Sequence, residues 1–334
     1  MFDPYPHLPH RIKNYILNSV IGHGGFAVVY KATNTLYNVD FAIKVMSQVH
    51  HSEGNIKSFE AEVNSLSKLD HPNVIRLYDY FKEDNHLFLV LEYCSGGTLE
   101  GFISKNEELF VQDKIKICSQ IISALKYCYD MSIAHRDIKT SNILFDSNGR
   151  VKVADFGLSQ LIGHDKHFNS FCGSLRYLAP EICLKISFNP FKSDVWSLGV
   201  LFYRLFTYNY PFDGNTCQEL KEKIIDGFYP ELLSGSIGKV VRKMLTVSPF
   251  ERISIENLSN MDFFAQKSTN VSPHCPRIPL SQSQYQRKLS KKRNTFCSSA
   301  IFNNVNHNID SHHIRVKCID IHMSQTFLTS PITP

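Results

Sequence analysis

No stretch of this 334-residue chain approaches the roughly 18 uninterrupted apolar positions that a membrane-spanning helix needs. The first residues, MFDPYPHLPHRIKN, lack the apolar run of a secretory signal. Nine cysteines are scattered singly and none stands in a C-x-x-C pair. That spacing speaks against a disulfide framework. These absences predict a soluble, cytoplasmic chain with reduced thiols. Tryptophan is scarce too, with Trp196 the single copy. The rest is ordinary for a globular protein, at 43% hydrophobic and 20% charged residues. The length suggests about two domains.

Charge is unevenly placed. From Ala265 onward nine Lys and Arg face two Asp and Glu, whereas the preceding 264 residues hold 27 against 29. The basicity belongs to the C-terminal tail. The tail is also rich in Ser, Thr, Asn and His, with Pro273, Pro276 and Pro279 closely spaced. Such composition predicts a disordered segment over 265–334. Its basic cluster, Arg287 to Arg293, reads as a solvated charge run, with a nuclear signal, an acidic-surface contact or a phosphorylation site as alternative roles. His312 and His313 lack partners at metal spacing. Without interleaved aromatics the tail is not expected to bind nucleic acid.

The residues that carry chemistry concentrate in one loop, His135 to Asn142 (HRDIKTSN), followed by Asp155-Phe156-Gly157. Phosphoryl transfer asks for positioning and charge neutralisation more than for covalent chemistry. Asp137 supplies a carboxylate to orient an attacking hydroxyl and take its proton, and Lys139 a cation to face the moving phosphate. Asn142 and Asp155 offer one neutral and one anionic oxygen ligand, a pair suited to magnesium held together with substrate phosphates. The stretch resembles the catalytic loop and metal-binding motif of the eukaryotic protein kinases. The resemblance implies ATP and Mg2+ as the cofactors and protein Ser/Thr hydroxyls as the substrates.

Other parts of the pattern surround this loop. Tyr15 to Ile21 alternates like a strand. It runs into Gly22-His23-Gly24-Gly25-Phe26-Ala27-Val28-Val29, whose glycines let backbone N–H groups approach phosphates. On its own this is a hairpin turn as readily as a nucleotide loop. A strand rather than a helix follows it, which disfavours a Rossmann site. Phe41 to Val45 is an apolar strand with Lys44 inside it, and a buried lysine needs a partner. The helical stretch from Phe59 to Leu66 offers two glutamates on different faces. Glu62 shares a face with Leu66 and is the expected partner; Glu60 is expected in solvent.

Leu87 to Glu92 resembles the strand leading to the hinge between kinase lobes. The resemblance implies backbone contacts from Glu92 and Cys94 to adenine, with Leu91 at the back of the pocket. The implied nucleotide site comprises Ile21, Gly22, His23, Gly24, Gly25, Phe26, Ala27, Val29, Ala42, Lys44, Leu91, Glu92, Cys94, Leu144 and Asp155. The period of Ile115, Cys118, Ile121, Ile122, Leu125 and Cys128 predicts a core helix over 112–131 and a structural role for both cysteines. Asp155 to Glu181 resembles an activation segment. In it Ser170 would be the target of an upstream kinase, read through Arg136, and Ser174 would face Asp137 and Lys139. Lys139 with CGSLRYLAPE points to the serine/threonine class. HPN at 71–73, SGG at 95–97 and CGS at 172–174 are most similar to the calcium/calmodulin-dependent kinase group and its AMP-activated branch. The tail prolines argue against a calmodulin-binding helix. Asp194 is expected to brace the catalytic loop, and Arg252 to pair with Glu181.

The expected fold is therefore α+β and bilobal. After an N-terminal extension (1–14), a catalytic domain spans 15–264. Its small antiparallel-sheet lobe with one helix, about 15–92, precedes a mainly helical lobe at about 93–264. The rival from another class is a pseudokinase scaffold, which loss of Lys44, Asp137, Asn142 or Asp155 would suggest. Thr98 and Ser141 are neutral where many arginine-directed kinases carry carboxylates, so only a weak preference for substrate arginine is expected. Glu100 is nearby and is expected to face elsewhere.

Overall fold

A computed structural model describes residues 4–5, 7–24, 27–47, 52–105, 109–161 and 175–264. The chain divides into two units, Met1–Ile278 and Pro279–Pro334, and every described residue belongs to the first.

Strands form where branched and aromatic residues alternate. β1 (His10–Ile12), β2 (Tyr15–His23), β3 (Ala27–Asn34), β4 (Val39–Ser47), β5 (Leu77–Glu83) and β6 (His86–Glu92) make one antiparallel sheet. Its order is β1-β2-β3-β4-β6-β5. Because side chains alternate between faces, Val28, Tyr30, Phe41, Ile43, Phe88 and Val90 fall on one face and form a small core there. Ala27, Ala42, Met46, Leu87, Leu89 and Leu91 fall on the other and join the main core. Lys44 is on this second face, in register with Val29 and Leu89.

The sheet starts earlier than the sequence suggested. Residues expected to be an extension supply β1, which pairs Ile12 with Tyr15 and His10 with Leu17. Ile12 is buried, and Tyr5 and Leu8 pack on the same core. Lys13 adopts a left-handed conformation (φ 48°) that makes the tight reversal into β2.

One helix, α1 (Ser52–Leu66), packs against the sheet. The rest is mainly helical: α2 (Leu99–Ser104), α3 (Val111–Asp130), α4 (Pro180–Cys183), α5 (Pro190–Thr207), α6 (Cys217–Asp226), α7 (Gly235–Met244) and α8 (Ile255–Ser259). Short strands β7 (Ile133–Ala134), β8 (Ile143–Phe145), β9 (Val151–Val153) and β10 (Gln160–Leu161) lie between α3 and α4. This is the bilobal α+β architecture that the motifs imply.

α3 buries Cys118, Ile121, Ile122, Leu125 and Cys128, with Ile117 joining them and Ile115 half-buried. α5 starts on Asn189, whose side chain accepts from the amides of Phe191 and Lys192, with Pro190 at the first helical position. It is apolar nearly all round and sits inside the helical lobe. None of the described helices is long and apolar enough to cross a membrane.

Candidate active site

The catalytic loop follows β7, and α5 holds it from below. Asp194, almost fully buried in the first turns of α5, accepts the backbone N–H of His135 at 2.8 Å and of Arg136 at 2.7 Å. Burial pushes this carboxyl above its ordinary range, and His135 and the two amides work against that. The grip matters because Arg136 is left-handed (φ 69°), a conformation that costs a non-glycine residue about 1–3 kcal/mol. His135 is buried, takes the Asp137 N–H on Nδ1 (3.2 Å) and so donates from Nε2 to the Ala154 carbonyl (3.1 Å). One imidazole thereby joins the loop to the strand end before Asp155.

Three sequence-predicted residues meet at Asp137. Its Oδ2 accepts Lys139 Nζ at 2.6 Å and Asn142 Nδ2 at 3.0 Å. Asn142 Nδ2 also donates to the Asp137 carbonyl at 2.8 Å. With its nitrogen committed twice, Asn142 has its amide oxygen left to offer a cation.

A second cluster forms around Lys44. Its Nζ lies 2.8 Å from Glu62 Oε2 and 2.8 Å from Asp155 Oδ1, so β4, α1 and the strand end after β9 converge on one ammonium. Glu62 is buried and Glu60 is exposed. Burial alone would push Lys44 down; the two carboxylates reverse this and hold it above its ordinary value. Lys44 in turn holds Asp155 down to about 2, against its burial. Asp155 is also left-handed (φ 66°). α1 is latched to the following segment by a 2.7 Å hydrogen bond between the buried Ser65 and Ser159 hydroxyls. Gly157 permits that approach, since a Cβ there would lie 2.6 Å from Ser58 Oγ.

The expected nucleotide wall surrounds this cluster. Gly22 pairs with Val29 and His23 with Val28, and the Gly24 amide donates to the Ala27 carbonyl at 2.7 Å, closing the hairpin. Ile21 is exposed at the end of β2, and Ala42 pairs with buried Leu91 across β4 and β6. The hinge is strapped to β8 by Gly96 N–H to Phe145 O and Phe145 N–H to Gly97 O, both 2.9 Å. Leu144 sits half-buried within that strap. Glu92 gives its N–H to the Arg76 carbonyl at 2.9 Å, and its own carbonyl accepts the Cys94 thiol at 4.0 Å. Cys94 is half-buried, and burial raises its thiol, which makes it a poor nucleophile. Gly25, Phe26, Ser170 and the stretch Cys172-Gly173-Ser174 lie outside the described residues, as does the tail from Ala265.

Among the described residues no group of three His, Cys, Asp or Glu could hold a metal by itself. Asn142 and Asp155 supply one amide and one carboxylate oxygen. That set fits magnesium carried in with phosphate oxygens, not a resident all-protein ion.

Sequence reasoning missed or misplaced some residues. Lys152 is buried and its Nζ contacts the Glu92 carboxylate at 2.8 Å, tying the hinge to β9. A lysine inside Val-Lys-Val is the same signal that singled out Lys44. Glu100 does not face away. It accepts a hydrogen bond from Thr140 Oγ1 in the catalytic loop and pairs with Arg204 Nη2 at 2.5 Å. The cause is the helix start: Thr98 Oγ1 caps α2 by accepting the Gly101 amide at 3.0 Å, so Glu100 falls in the first turn, beside the loop.

Residues 15–264 match the family model described as protein kinase domain, and the chain belongs to that family. It is 37% identical over 252 residues to a protein of Mus musculus named "Putative sperm motility kinase W", covering 75% of this chain and 50% of that one. It is 34% identical over 258 residues to the serine/threonine-protein kinase SIK3 homolog of Danio rerio, covering 77% of this chain and 22% of that one. The chain thus spans half or less of the length of these relatives.

Proposed function

We propose that this protein is an active serine/threonine kinase that moves the γ-phosphate of ATP to hydroxyls of protein substrates. The observation that carries the reading is Lys44 held at 2.8 Å from both Glu62 and Asp155, with Asp137 engaged by Lys139 and Asn142 in the same cleft. In this reading Glu62 and Asp155 orient Lys44 toward the nucleotide phosphates. Asp137 takes the proton of the acceptor hydroxyl as its oxygen bonds to the γ-phosphorus. The bond from that phosphorus to the β–γ bridging oxygen breaks, and ADP leaves. Lys139 offsets the charge on the transferred group. Asn142 and Asp155 would hold magnesium, which neutralises phosphate charge when bound. The pseudokinase alternative would be suggested by loss of Lys44, Asp137, Asn142 or Asp155, and the presence of all four supports the catalytic reading.

The test is phosphate transfer from radiolabelled ATP by the full chain. Asp137→Asn should lower turnover by about 10²–10⁴-fold while nucleotide binding persists. Asp155→Asn should weaken magnesium-dependent nucleotide binding instead. Two variants as fast as the parent would overturn the assignment.

A further inference from the structure

Beside the catalytic loop lies a charged cluster that this chemistry does not use. Tyr210 is its centre, with the guanidinium groups of Arg204 and Arg176 over its ring at 3.9 and 4.7 Å. Tyr177 meets the same ring edge-on at 5.8 Å, and its hydroxyl shares a 2.8 Å hydrogen bond with Thr140. Thr140 directly follows Lys139. The cluster is therefore continuous with the loop that carries Asp137.

Two carboxylates lie in the cluster, and both are engaged. Glu100 accepts from Thr140 and pairs with Arg204, while Asp213 Oδ1 pairs with Arg176 Nη2 at 2.7 Å. An arginine arriving on a substrate would have to displace an arginine already in place. An anion meets the opposite situation, because each guanidinium presents five donors in a fixed fork. Arg204 Nε is buried with no partner among the described residues. Arg176 is exposed, and Asp213 and Tyr210 engage only part of its fork. An extended peptide advances about 3.3–3.6 Å per residue. The charge is therefore sought within three residues of an acceptor at Asp137, since the cluster joins the catalytic loop at Thr140.

Resting on the kinase reading above, we infer that Arg176 and Arg204 recognise an anionic side chain of the substrate, a carboxylate or a phosphate within three residues of the accepting hydroxyl. Glu100 is withdrawn from substrate recognition by its ion pair. The structure thus converts a missing preference for arginine into selection for the opposite charge.

The test is fluorescence anisotropy with labelled peptides that carry alanine at the acceptor position, so that binding is read without turnover. Each of the three positions on either side holds alanine, aspartate, glutamate, phosphoserine or arginine in turn, and the full chain is used with magnesium and ATP. At one or more positions an anion should bind about tenfold tighter than alanine, as one charge-assisted hydrogen bond allows. Arginine there should bind no better than alanine. The ratio of phosphoserine to aspartate tells which anion the site suits. Arg176→Glu should abolish the anion-to-alanine ratio. Arg204→Met, made together with Glu100→Gln so that no carboxylate is left without its counter-charge, should reduce it. Equal or undetectable binding of the anionic peptides, or a ratio unchanged in both variants, overturns the inference. Phosphate transfer to matching serine peptides separates the two readings. Selective binding without transfer removes the kinase assignment, and transfer without selectivity removes only the recognition site.

Discussion

The molecule holds two ion networks that are alike in composition and differ in kind. Arg252 and Glu181 face each other through two parallel hydrogen bonds of 2.7 and 2.9 Å, both side chains almost wholly buried. Ser193 adds a bond to the same carboxylate, and the guanidinium's other donors reach the carbonyls of Thr246, Lys192 and Val247. This network is closed. Lys44 also sits between acids, but its network is open: the Asp155 side chain is 44% exposed, and Glu62 Oε1 is buried with no partner among the described residues. A closed network offers no valence to a ligand and acts on the fold. An open one keeps a cation positioned for a group that is still to arrive. Burial of a charge pair therefore says little about its role; access and unfilled valence say more.

The comparison breaks most readily at its closed end. Arg252→Met removes one partner and leaves the Glu181 carboxylate buried with no counter-charge and only the Ser193 hydroxyl, which should destabilise the protein by about 3–5 kcal/mol. At about 2–4 °C per kcal/mol for a domain of this size, calorimetry should show a melting temperature lower by several degrees or more. The fraction still folded should transfer phosphate normally. Lys44→Met should behave in the opposite way. Phosphate transfer should fall about 10²–10³-fold, the usual loss when a positioned charge is removed from a transition state. Stability should suffer less than in Arg252→Met. Burial already pushes the Glu62 carboxyl upward, so without Lys44 it can take a proton and shed the buried charge. A Lys44→Met protein that melts as low as Arg252→Met would erase the distinction.

The two ends were not equally legible in the chain. Lys44 in Phe-Ala-Ile-Lys-Val asks for a partner by itself, and helical phase with Leu66 favours Glu62 over Glu60. The structure brings Lys44 and Glu62 to 2.8 Å. Lys152 poses the same question in a strand of only three residues, but its partner Glu92 stands 60 positions away at the hinge, beyond any local pattern. β1 is equally short, and its pairing is decided by the left-handed turn at Lys13 and by burial of Ile12. Glu100 faces the loop because it stands in the first turn of α2, where helical phase does not yet fix a face. Arg204 reads as one polar position in the apolar stretch 198–206 of α5, and only the fold brings it to Glu100 and Tyr210.

The smallest expected effect tests the open network by pH. Lys44 is the main reason that the Asp155 carboxyl is held down to about 2, with its own burial opposing and His135 and Lys139 assisting. A carboxyl depressed in the folded state adds stability above its unfolded value, near 4, and that stability is lost as pH falls toward 2. That depression corresponds to about 2.5 kcal/mol, but water reaches this partly buried side chain and screens it, leaving about 1 kcal/mol. Urea unfolding at about pH 6, 5, 4 and 3 should therefore show the parent losing its advantage over Asp155→Asn only at the acid end. Lys44→Met should flatten the same limb, since it removes the cause while leaving the carboxyl in place. Parallel curves for the parent and Asp155→Asn would mean that the contact between Lys44 and Asp155 does not persist in solution. A limb that survives Lys44→Met would instead assign the depression to His135 and Lys139. The open network would then be centred on the catalytic loop, with Lys44 at its edge.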